Sequence, residues 1–402
     1  MKKTFILTLS FMLLCLSACN KQKENTPAPE TTPKAEDFRT MRTDTILLWL
    51  GSYCKTDEEG IRVYKFNQHT GEYTYLTGYK GLANPSFIWI ARDGRHFYTV
   101  GEEDEPERST ANAFVLDADK PEIKKLNSQC NNAGAACNVI LSPDERSLFT
   151  SSYGSGCITE FPIHKDGSLG KDFVLKFSGH SVNPTRQDHP YIHAVNFTPD
   201  SRYLMANDLG MDQIHVFKMR DRAAMDSLPI LSNGARPAKP VEETYNVKVD
   251  AGAGPRHLAW SPNLVNAYLL SELSGQLFVL KYENEQLSVI QTLQADTLNA
   301  GGSADVHVSP DCKFVYASHR LQGDGISIWK VNQQDGTLTK VGFQATGIHP
   351  RNFNITPNGE LLLCACRDSN KVQIFRRDKK TGLLTDTGRA IEMSRPTCVQ
   401  FY

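Results

Sequence analysis

One pattern of apolar segments and turns recurs six times along this chain of 402 residues. Each copy has an apolar strand, a short turn that in most copies contains Pro followed by Asp or Asn, and a second apolar strand. The turn prolines Pro262, Pro310 and Pro357 follow one another at intervals of 48 and 47 residues, a length that holds four short strands with their loops. The copies are 87–102, 138–153, 194–209, 257–273, 306–320 and 353–367.

The two ends of the chain complement each other within this pattern. Segments 45–53 and 61–76 look like the later strands of a unit that lacks its first strand, whereas 396–402 looks like a first strand alone. We therefore predict an all-β fold, a seven-bladed β-propeller over residues 45–402, whose ring is closed when the C-terminal strand joins the N-terminal blade. A jelly roll or sandwich is the rival architecture, and the regular spacing and the matching ends argue against it.

The first 44 residues differ in composition from the repeats. Two lysines precede an apolar stretch, 5–16, that is too short to span a bilayer. This stretch ends in Leu-Ser-Ala before Cys19, which resembles the bacterial lipobox, where a peptidase cuts before a cysteine that becomes lipidated. We expect residues 1–18 to be a lipoprotein signal peptide, Cys19 to carry the lipid, and the polar residues 19–44 to form a flexible tether. The prediction is a protein of the cell envelope, on the periplasmic face or the cell surface, held at a bacterial membrane by its lipid anchor alone.

The charge balance and the cysteines exclude several classes of protein. Lys and Arg number 44 and Asp and Glu 45, so nothing indicates the basic surface of a nucleic-acid binder. The ten cysteines show no paired Cys/His spacing typical of a metal site, and no motif predicts a nucleotide or flavin cofactor. Cys130 and Cys137 are close enough in sequence to form a disulfide in an exported protein, whereas Cys364 and Cys366 alternate in a strand as small core residues do.

In such a ring, the start of each first strand and the end of each second strand lie at the same mouth of the central channel. Polar residues at those positions therefore converge. The candidate catalytic residues, for which this convergence is strongest, are His193, Arg256, Glu272 and Arg320. The candidate substrate-binding residues are Asn84, His257, His307 and Arg351. Of these, Asn84 also fits a turn-capping role, and His307 also fits a core histidine.

The chemistry of this set suits a small, anionic, oxygen-rich ligand. Arginine binds carboxylate or phosphate in a bidentate manner and stabilises a developing oxyanion. Glu or His acts as a general acid or base near neutral pH. The Gly-Ala-Gly-Pro segment before Arg256 allows close approach of the backbone, but no helix follows it, so it does not predict a dinucleotide or phosphate loop.

Longer segments around these residues resemble one family. They are NPSF (84–87), HAVNFTPDSRYLMANDLGMDQIHVF (193–217), GAGPRHLAWSPN (252–263), SADVHVSPDCKFVYASHR (303–320) and HPRNFNITPNGELLLCACRDSNKVQIF (349–375). The chain is similar in them to the lactonase family of seven-bladed propellers, which includes the bacterial propeller-type 6-phosphogluconolactonase and the fungal carboxy-cis,cis-muconate cyclase. The resemblance implies a site of one His, two Arg and one Glu, which by motif are His193, Arg256, Glu272 and Arg320. Relatives commonly have other residues at Tyr191, Asp305, His319 and Leu321, and these differences concern the substrate specificity more than the type of reaction.

The resemblance implies an enzyme that hydrolyses a sugar lactone by attack of water at the carbonyl in the central pocket. Arg256 and Arg320 would hold the anionic group and the oxyanion, while Glu272 or His193 activates the water. Because 6-phosphogluconolactone is a cytosolic intermediate, an exported protein is expected to act on an unphosphorylated sugar lactone or a breakdown product of glycans. The alternatives are a muconate-type cycloisomerase that forms a lactone, and a non-catalytic propeller that binds glycans or a partner protein at the envelope.

Overall fold

The computed structural model describes residues 44–117, 120–220 and 241–402. These residues form 28 strands in seven four-stranded antiparallel sheets, with one turn of 3₁₀ helix at Arg367–Ser369. They contain no helix that is long and apolar enough to cross a membrane. The predicted signal peptide, the predicted lipid site at Cys19 and the predicted tether up to residue 43 lie outside the described residues.

The strands, in chain order, are β1 (Thr45–Ser52), β2 (Ile61–Asn67), β3 (Tyr73–Tyr79), β4 (Ile88–Ile90), β5 (His96–Gly101), β6 (Thr110–Asp117), β7 (Glu122–Cys130), β8 (Ala136–Leu141), β9 (Ser147–Ser152), β10 (Cys157–Pro162), β11 (Phe173–Lys176), β12 (Ile192–Phe197), β13 (Tyr203–Asp208), β14 (Gln213–Met219), β15 (Val241–Lys248), β16 (Pro255–Trp260), β17 (Asn266–Ser271), β18 (Gln276–Glu283), β19 (Gln286–Gln294), β20 (Ser303–Val308), β21 (Phe314–His319), β22 (Gly325–Val331), β23 (Leu338–Ala345), β24 (Pro350–Ile355), β25 (Leu361–Cys366), β26 (Lys371–Arg377), β27 (Leu384–Glu392) and β28 (Pro396–Phe401).

The ring is closed by the two ends of the chain. Six blades consist of four consecutive strands, but the seventh has the order β28-β1-β2-β3. The last strand pairs antiparallel with the first, so that Leu50 lies opposite Val399 and Trp49 opposite Gln400. The predicted seven-bladed propeller, with its closure by the C-terminal strand, is confirmed.

The second strand of each blade explains the long apolar runs in the sequence. In β9, β13, β17, β21 and β25 every residue is buried, because neighbouring blades cover both faces of the sheet. Cys364 and Cys366 lie in β25 and are fully buried, as expected. Complete burial of one of the leucines in this strand stabilises the fold by roughly 2–3 kcal/mol. The outermost strands are far more open: in β19 only Leu287 is buried, and most of the other residues are exposed.

A β-bulge interrupts the start of several innermost strands. In β12 the register skips His193, in β16 it skips Arg256, and in β24 it skips Arg351. A bulged residue has no partner across the ladder, and its side chain takes a new direction. The bulges therefore direct the side chains of these candidate residues out of the ladder, at the end of the strands that lies at the mouth of the channel.

The Pro-Asp turns lie at the opposite end of the hairpins, as the repeat requires. In four of the five turns that contain proline, the Ser or Thr before the proline donates its hydroxyl hydrogen to the Asp or Asn after it. Thr198 donates to Asp200 and Ser309 to Asp311, both at 2.6 Å. The repeated turn motif is thus explained by local hydrogen bonding, and it is separate from the candidate site.

The suggested disulfide between Cys130 and Cys137 is wrong, since the structure has both as free thiols. Cys130 ends β7, the outermost strand of one blade, whereas Cys137 lies in β8, the innermost strand of the next. Proximity in sequence is therefore not proximity of the two sulfur atoms. Cys137 instead contacts the backbone carbonyl of His193, with its Sγ at 3.3 Å.

Candidate active site

One carboxylate lies among three arginines at the mouth of the channel. Oε1 of Glu272 accepts a hydrogen bond from Nη2 of Arg186 at 2.7 Å. Oε2 accepts one from Nε of Arg256 at 2.9 Å, and Nη2 of Arg320 lies 3.2 Å from the same oxygen. Arg256 and Arg320 are buried, with 1% and 5% of their surface exposed, whereas Arg186 is half-buried. We call these four residues the Glu272 cluster.

Buried side chains and backbone contacts hold Arg256 and Glu272 in place. Asp212, which is buried, accepts hydrogen bonds from the backbone N–H groups of Gly252 and Gly254 at 2.7 and 2.8 Å. The carbonyl of Gly254 in turn accepts the backbone N–H of Glu272 at 2.7 Å. Gly254 has a φ of +71°, and a Cβ there would lie 2.6 Å from the side chain of Leu273. The Gly-Ala-Gly-Pro segment is therefore a support for the cluster, and glycine is required at its third position.

The three arginines keep Glu272 ionised. Burial alone would raise the pKa of this carboxyl, but the positive charges of Arg320, Arg256 and Arg186 outweigh it and bring the pKa to about 2. Conversely, the carboxylate stabilises the charged guanidinium groups around it. The cluster is therefore a permanently charged assembly at neutral pH.

His193 lies at the edge of this cluster. Its Nε2 is 4.0 Å from Oε2 of Glu272, and its ring contacts Tyr153 with centroids 5.6 Å apart. Burial, followed by the positive charge of Arg256, lowers the pKa of His193 well below its ordinary value. The imidazole is therefore neutral at pH 7.

A second buried carboxylate, Asp305, holds His257 beside His193. Oδ1 of Asp305 lies 2.7 Å from Nδ1 of His257, and Oδ2 lies 3.1 Å from Nε2 of His307. Asn352 donates a further hydrogen bond to Oδ2 at 2.6 Å. The rings of His257 and His193 are 5.2 Å apart. Burial opposes ionisation of Asp305, yet His307 and His257 hold its pKa well below the ordinary value.

A third carboxylate lies at the same mouth. Glu102 accepts hydrogen bonds from the hydroxyl groups of Tyr53, at 2.8 Å, and of Ser86. Nη2 of Arg351 is 3.8 Å from Glu102, and its guanidinium lies over the ring of Tyr53 at 5.1 Å. Burial lowers the pKa of Arg351, but the neighbouring Tyr53 and Glu102 outweigh it and hold the pKa above its ordinary value.

A cleft of about 550 Å³ opens next to this third carboxylate. It extends from Tyr53 and Asn84 to the exposed side chains of Lys55 and Arg395. None of the four candidate catalytic residues lines it. Tyr53 is thus the boundary between this cleft and the central channel.

The structure brings His193, Arg256, Glu272 and Arg320 together, and His257 lies directly beside them. Arg351 contacts Glu102 instead. Asn84 lies at the rim with a φ of +46°, where its side chain accepts the N–H of Cys54 and donates to the carbonyl of Glu102. Those contacts are the turn-capping role considered for it. His307 is bound to Asp305 and is half-buried farther along β20.

Three residues of the mouth escaped the sequence analysis. Arg186 belongs to a loop outside the repeated pattern, so no signal identifies it. Glu102 directly follows the second strand of its blade, as Glu272 does in another blade, and superposing the repeats would have identified it. Tyr53 has the same place after β1.

Metal and cofactor sites are not indicated by the side chains that the structure describes. The described ranges contain no group of three or more His, Cys, Asp or Glu side chains arranged to hold a metal ion. The carboxylates at the mouth are instead bonded to arginine, histidine and hydroxyl groups. The arrangement is suited to binding an anion and to moving a proton.

Comparison with known proteins gives concordant matches over the whole ring. A family model described as Lactonase, 7-bladed beta-propeller, matches residues 47–401. A 6-phosphogluconolactonase of Formosa agariphila is 31% identical over 361 residues, which are 88% of this chain and 99% of that protein. A structure from Bacteroides fragilis, solved as a candidate 6-phosphogluconolactonase, has a TM-score of 0.84 and 40% identity, covering 90% of this chain and 99% of that one. The periplasmic gluconolactonase of Pseudomonas aeruginosa has a TM-score of 0.79 and 28% identity, covering 89% of this chain and 99% of its own.

Proposed function

Because this chain belongs to the lactonase family of seven-bladed β-propellers, we propose that it opens an unphosphorylated sugar lactone at the Glu272 cluster. The observation that carries this proposal is the pair of buried arginines, Arg256 and Arg320, both held against Oε2 of one carboxylate, Glu272. Guanidinium groups in a site with little water stabilise the oxyanion that forms when water attacks a lactone carbonyl.

The net charge of the side chains at the mouth favours a substrate that becomes negatively charged during the reaction. Four arginines, including Arg186 and Arg351, lie near three carboxylates, those of Glu102, Glu272 and Asp305, which leaves an excess of one positive charge. A developing oxyanion neutralises that excess. A neutral polyhydroxylated ring, which gains its negative charge only during the reaction, is therefore a better match than a group that carries two charges from the start.

The compartment of a relative supports the unphosphorylated substrate, and backbone carbonyls hold the two arginines in place. Arg256 donates from Nη1 to the carbonyl of Ala304 at 2.5 Å, and Arg320 donates from Nε to the carbonyl of Gly302 at 2.7 Å. The pair keeps further N–H groups that can donate to the carbonyl oxygen of a lactone. The relative from Pseudomonas aeruginosa is described as a periplasmic gluconolactonase, which agrees in compartment with the predicted export of this chain.

The reaction consists of one addition and one elimination. The oxygen of water attacks the lactone carbonyl, a protein base takes one proton, and the carbonyl electrons move to the oxygen beside Arg256 and Arg320. The ring C–O bond then breaks, and the ring oxygen takes a proton to give an open hydroxy acid. Within the Glu272 cluster and its edge, Glu272 and His193 are the two candidates for the base.

The test is lactone opening by the purified protein, followed as proton release in weakly buffered solution, with the spontaneous rate subtracted. We expect an aldono-1,5-lactone to be opened with a higher kcat/KM than its 6-phosphate. Failure to accelerate the opening of any aldonolactone, phosphorylated or not, sinks the proposal. Formation of a lactone from muconate-type diacids in the same preparation would indicate the cycloisomerase instead.

A further inference from the structure

The buried Asp305 fixes the tautomer of His257. Five hydrogen-bonding groups surround the carboxylate: His257, His307, the amide of Asn352, and the backbone N–H groups of Val306 and Phe353. An ionised carboxylate only accepts hydrogen bonds. The ring nitrogen that lies 2.7 Å from Oδ1, Nδ1 of His257, must therefore carry the hydrogen.

The other nitrogen of His257 is consequently left with a lone pair. Nε2 has no hydrogen-bond partner among the residues that the structure describes. The centroid of its ring lies 6.2 Å from that of Phe87 and 5.2 Å from that of His193, whose Nε2 is 4.0 Å from Glu272, so the imidazole lies at the same mouth as the Glu272 cluster. Only 8% of the surface of His257 is exposed, which limits its access to a few water molecules or a bound ligand.

Glu272 and His193 are poorer candidates for a base. Both oxygens of Glu272 are already bonded to or in contact with arginines, and protonating this carboxylate would break those ion pairs. His193 has no carboxylate at hydrogen-bonding distance: its Nδ1 is 3.9 Å from Sγ of Cys137, and its Nε2 is 4.0 Å from Oε2 of Glu272. An imidazolium at His193 would share that carboxylate with three arginines, whereas His257 is hydrogen-bonded to Asp305.

We propose that His257, oriented by Asp305, is the general base and acid of the reaction at this mouth. The inference rests on the proposed lactone opening and names its proton carrier. Nε2 of His257 takes a proton from water while the water oxygen bonds to the carbonyl carbon. When the ring C–O bond breaks, the same proton passes to the ring oxygen, and His257 is neutral again. Asp305 is a positioning residue that stabilises the transient imidazolium.

His257→Asn is the decisive variant, because its amide N–H keeps a donor near Oδ1 of Asp305 while Nε2 is removed. We expect kcat to fall by about 10²- to 10⁴-fold, the usual contribution of general base catalysis, with KM changed less than about threefold. His215→Gln is the matched control. Nε2 of His215 lies 3.0 Å from Oδ2 of a buried carboxylate, Asp208, as His257 lies beside Asp305. His215 is in β14, however, the third strand of its blade counted from the channel. Its variant should retain kcat.

Asp305→Asn tests the positioning role, with the ¹⁵N chemical shifts of the imidazole as readout. In the wild-type protein at pH 7 we expect a hydrogen on Nδ1 of His257 and none on Nε2. In Asp305→Asn the asparagine amide N–H donates to Nδ1, so the hydrogen moves to Nε2 and kcat falls as in His257→Asn.

Three outcomes separate the two proposals. If the wild-type protein opens no lactone, the proposed function and this inference fail together. If it opens lactones but His257→Asn keeps kcat within about fivefold, the inference alone fails and the base is elsewhere at the mouth. If the wild-type spectrum shows hydrogen on Nε2, the inference is overturned without reference to any variant, so the test does not depend on how well His257→Asn folds.

Discussion

Replacing Glu272 by glutamine removes the negative charge that the three arginines share while keeping the side-chain volume. Glu272 has a pKa of about 2 against an ordinary 4.5. At 1.36 kcal/mol for each pH unit, this difference corresponds to about 3 kcal/mol in favour of the charged form in the folded protein. We expect Glu272→Gln to lose about that much stability, since it leaves buried guanidinium groups without their partner.

The loss is measurable by thermal unfolding. The entropy of unfolding is about 2.1 cal/mol/K per residue, so the roughly 340 residues that the structure describes give about 0.7 kcal/mol/K. A loss of about 3 kcal/mol then lowers Tm by about 4 °C at pH 7. Because the pKa of Glu272 is lower in the folded than in the unfolded protein, the stabilisation is complete above about pH 4.5. It is lost as the pH falls from about 4.5 to about 2, so the Tm difference should shrink over that range.

Two comparisons make the result specific. Glu285→Gln removes a carboxylate that pairs with Arg202 at the surface, and we expect no resolvable change in Tm. Millimolar phosphate or an aldonate should raise the Tm of Glu272→Gln more than that of the wild-type protein, because the anion takes the place of the missing charge. An unchanged or higher Tm for Glu272→Gln without added anion would refute the electrostatic reasoning.

Three further predictions concern the arginines, the ring and the pH profile. Arg256→Lys should lower kcat/KM for lactone opening by about 10²- to 10³-fold. Arg377→Lys is the control, because Arg377 is also buried but pairs with Asp311 away from the mouth, and we expect it to keep kcat/KM. Equal losses of kcat/KM in both variants would contradict a specific role of Arg256. Deleting residues 396–402 should prevent cooperative unfolding, measured by circular dichroism, because it removes the partner of β1; a truncated chain with the wild-type Tm would refute closure. Burial and the charges of Arg256 and Arg351, opposed by Asp305, bring the pKa of His257 to about 4. We therefore expect kcat/KM to be constant from pH 8 to about pH 5.5 and to decrease at pH values below about 4, where the base becomes protonated. A midpoint near pH 6.5 would indicate an exposed histidine instead.

The ring was predictable because the same pattern of apolar strands and turns recurs in most of its blades. Each turn proline marks a hairpin, and the unmatched segments at the two ends specify both the number of blades and the closure. The family and the enzyme class, a lactonase-type hydrolase, are confirmed by the comparisons. The roles of the site residues, the lipid anchor at Cys19 and the choice of substrate stay predictions.

Residues of the mouth that lie at the ends of predicted strands could also be identified from the sequence. Features that depend on how neighbouring strands pair could not. Arg256 and Glu272 could be placed together because one begins a first strand and the other follows a second strand. The bulge that directs Arg256 out of the ladder has no signature in the sequence, since it depends on how β16 pairs with β17. Arg186 comes from a loop with no counterpart in other blades. The disulfide prediction failed for the related reason that Cys130 and Cys137 lie on strands at opposite sides of two blades.

The pairing of β28 with β1 also determines at which stage of folding the mouth of the channel is completed. Of the 28 strands, β1 is made first and β28 last, so the pairing of Leu50 with Val399 must wait for all the strands between them. Contacts of such long sequence separation form slowly. Earlier blades can assemble as they emerge, but the gap beside β24 and β4 closes only after β28 has been made. A charged, ligand-ready mouth is thus a property of the finished protein and not of any nascent fragment.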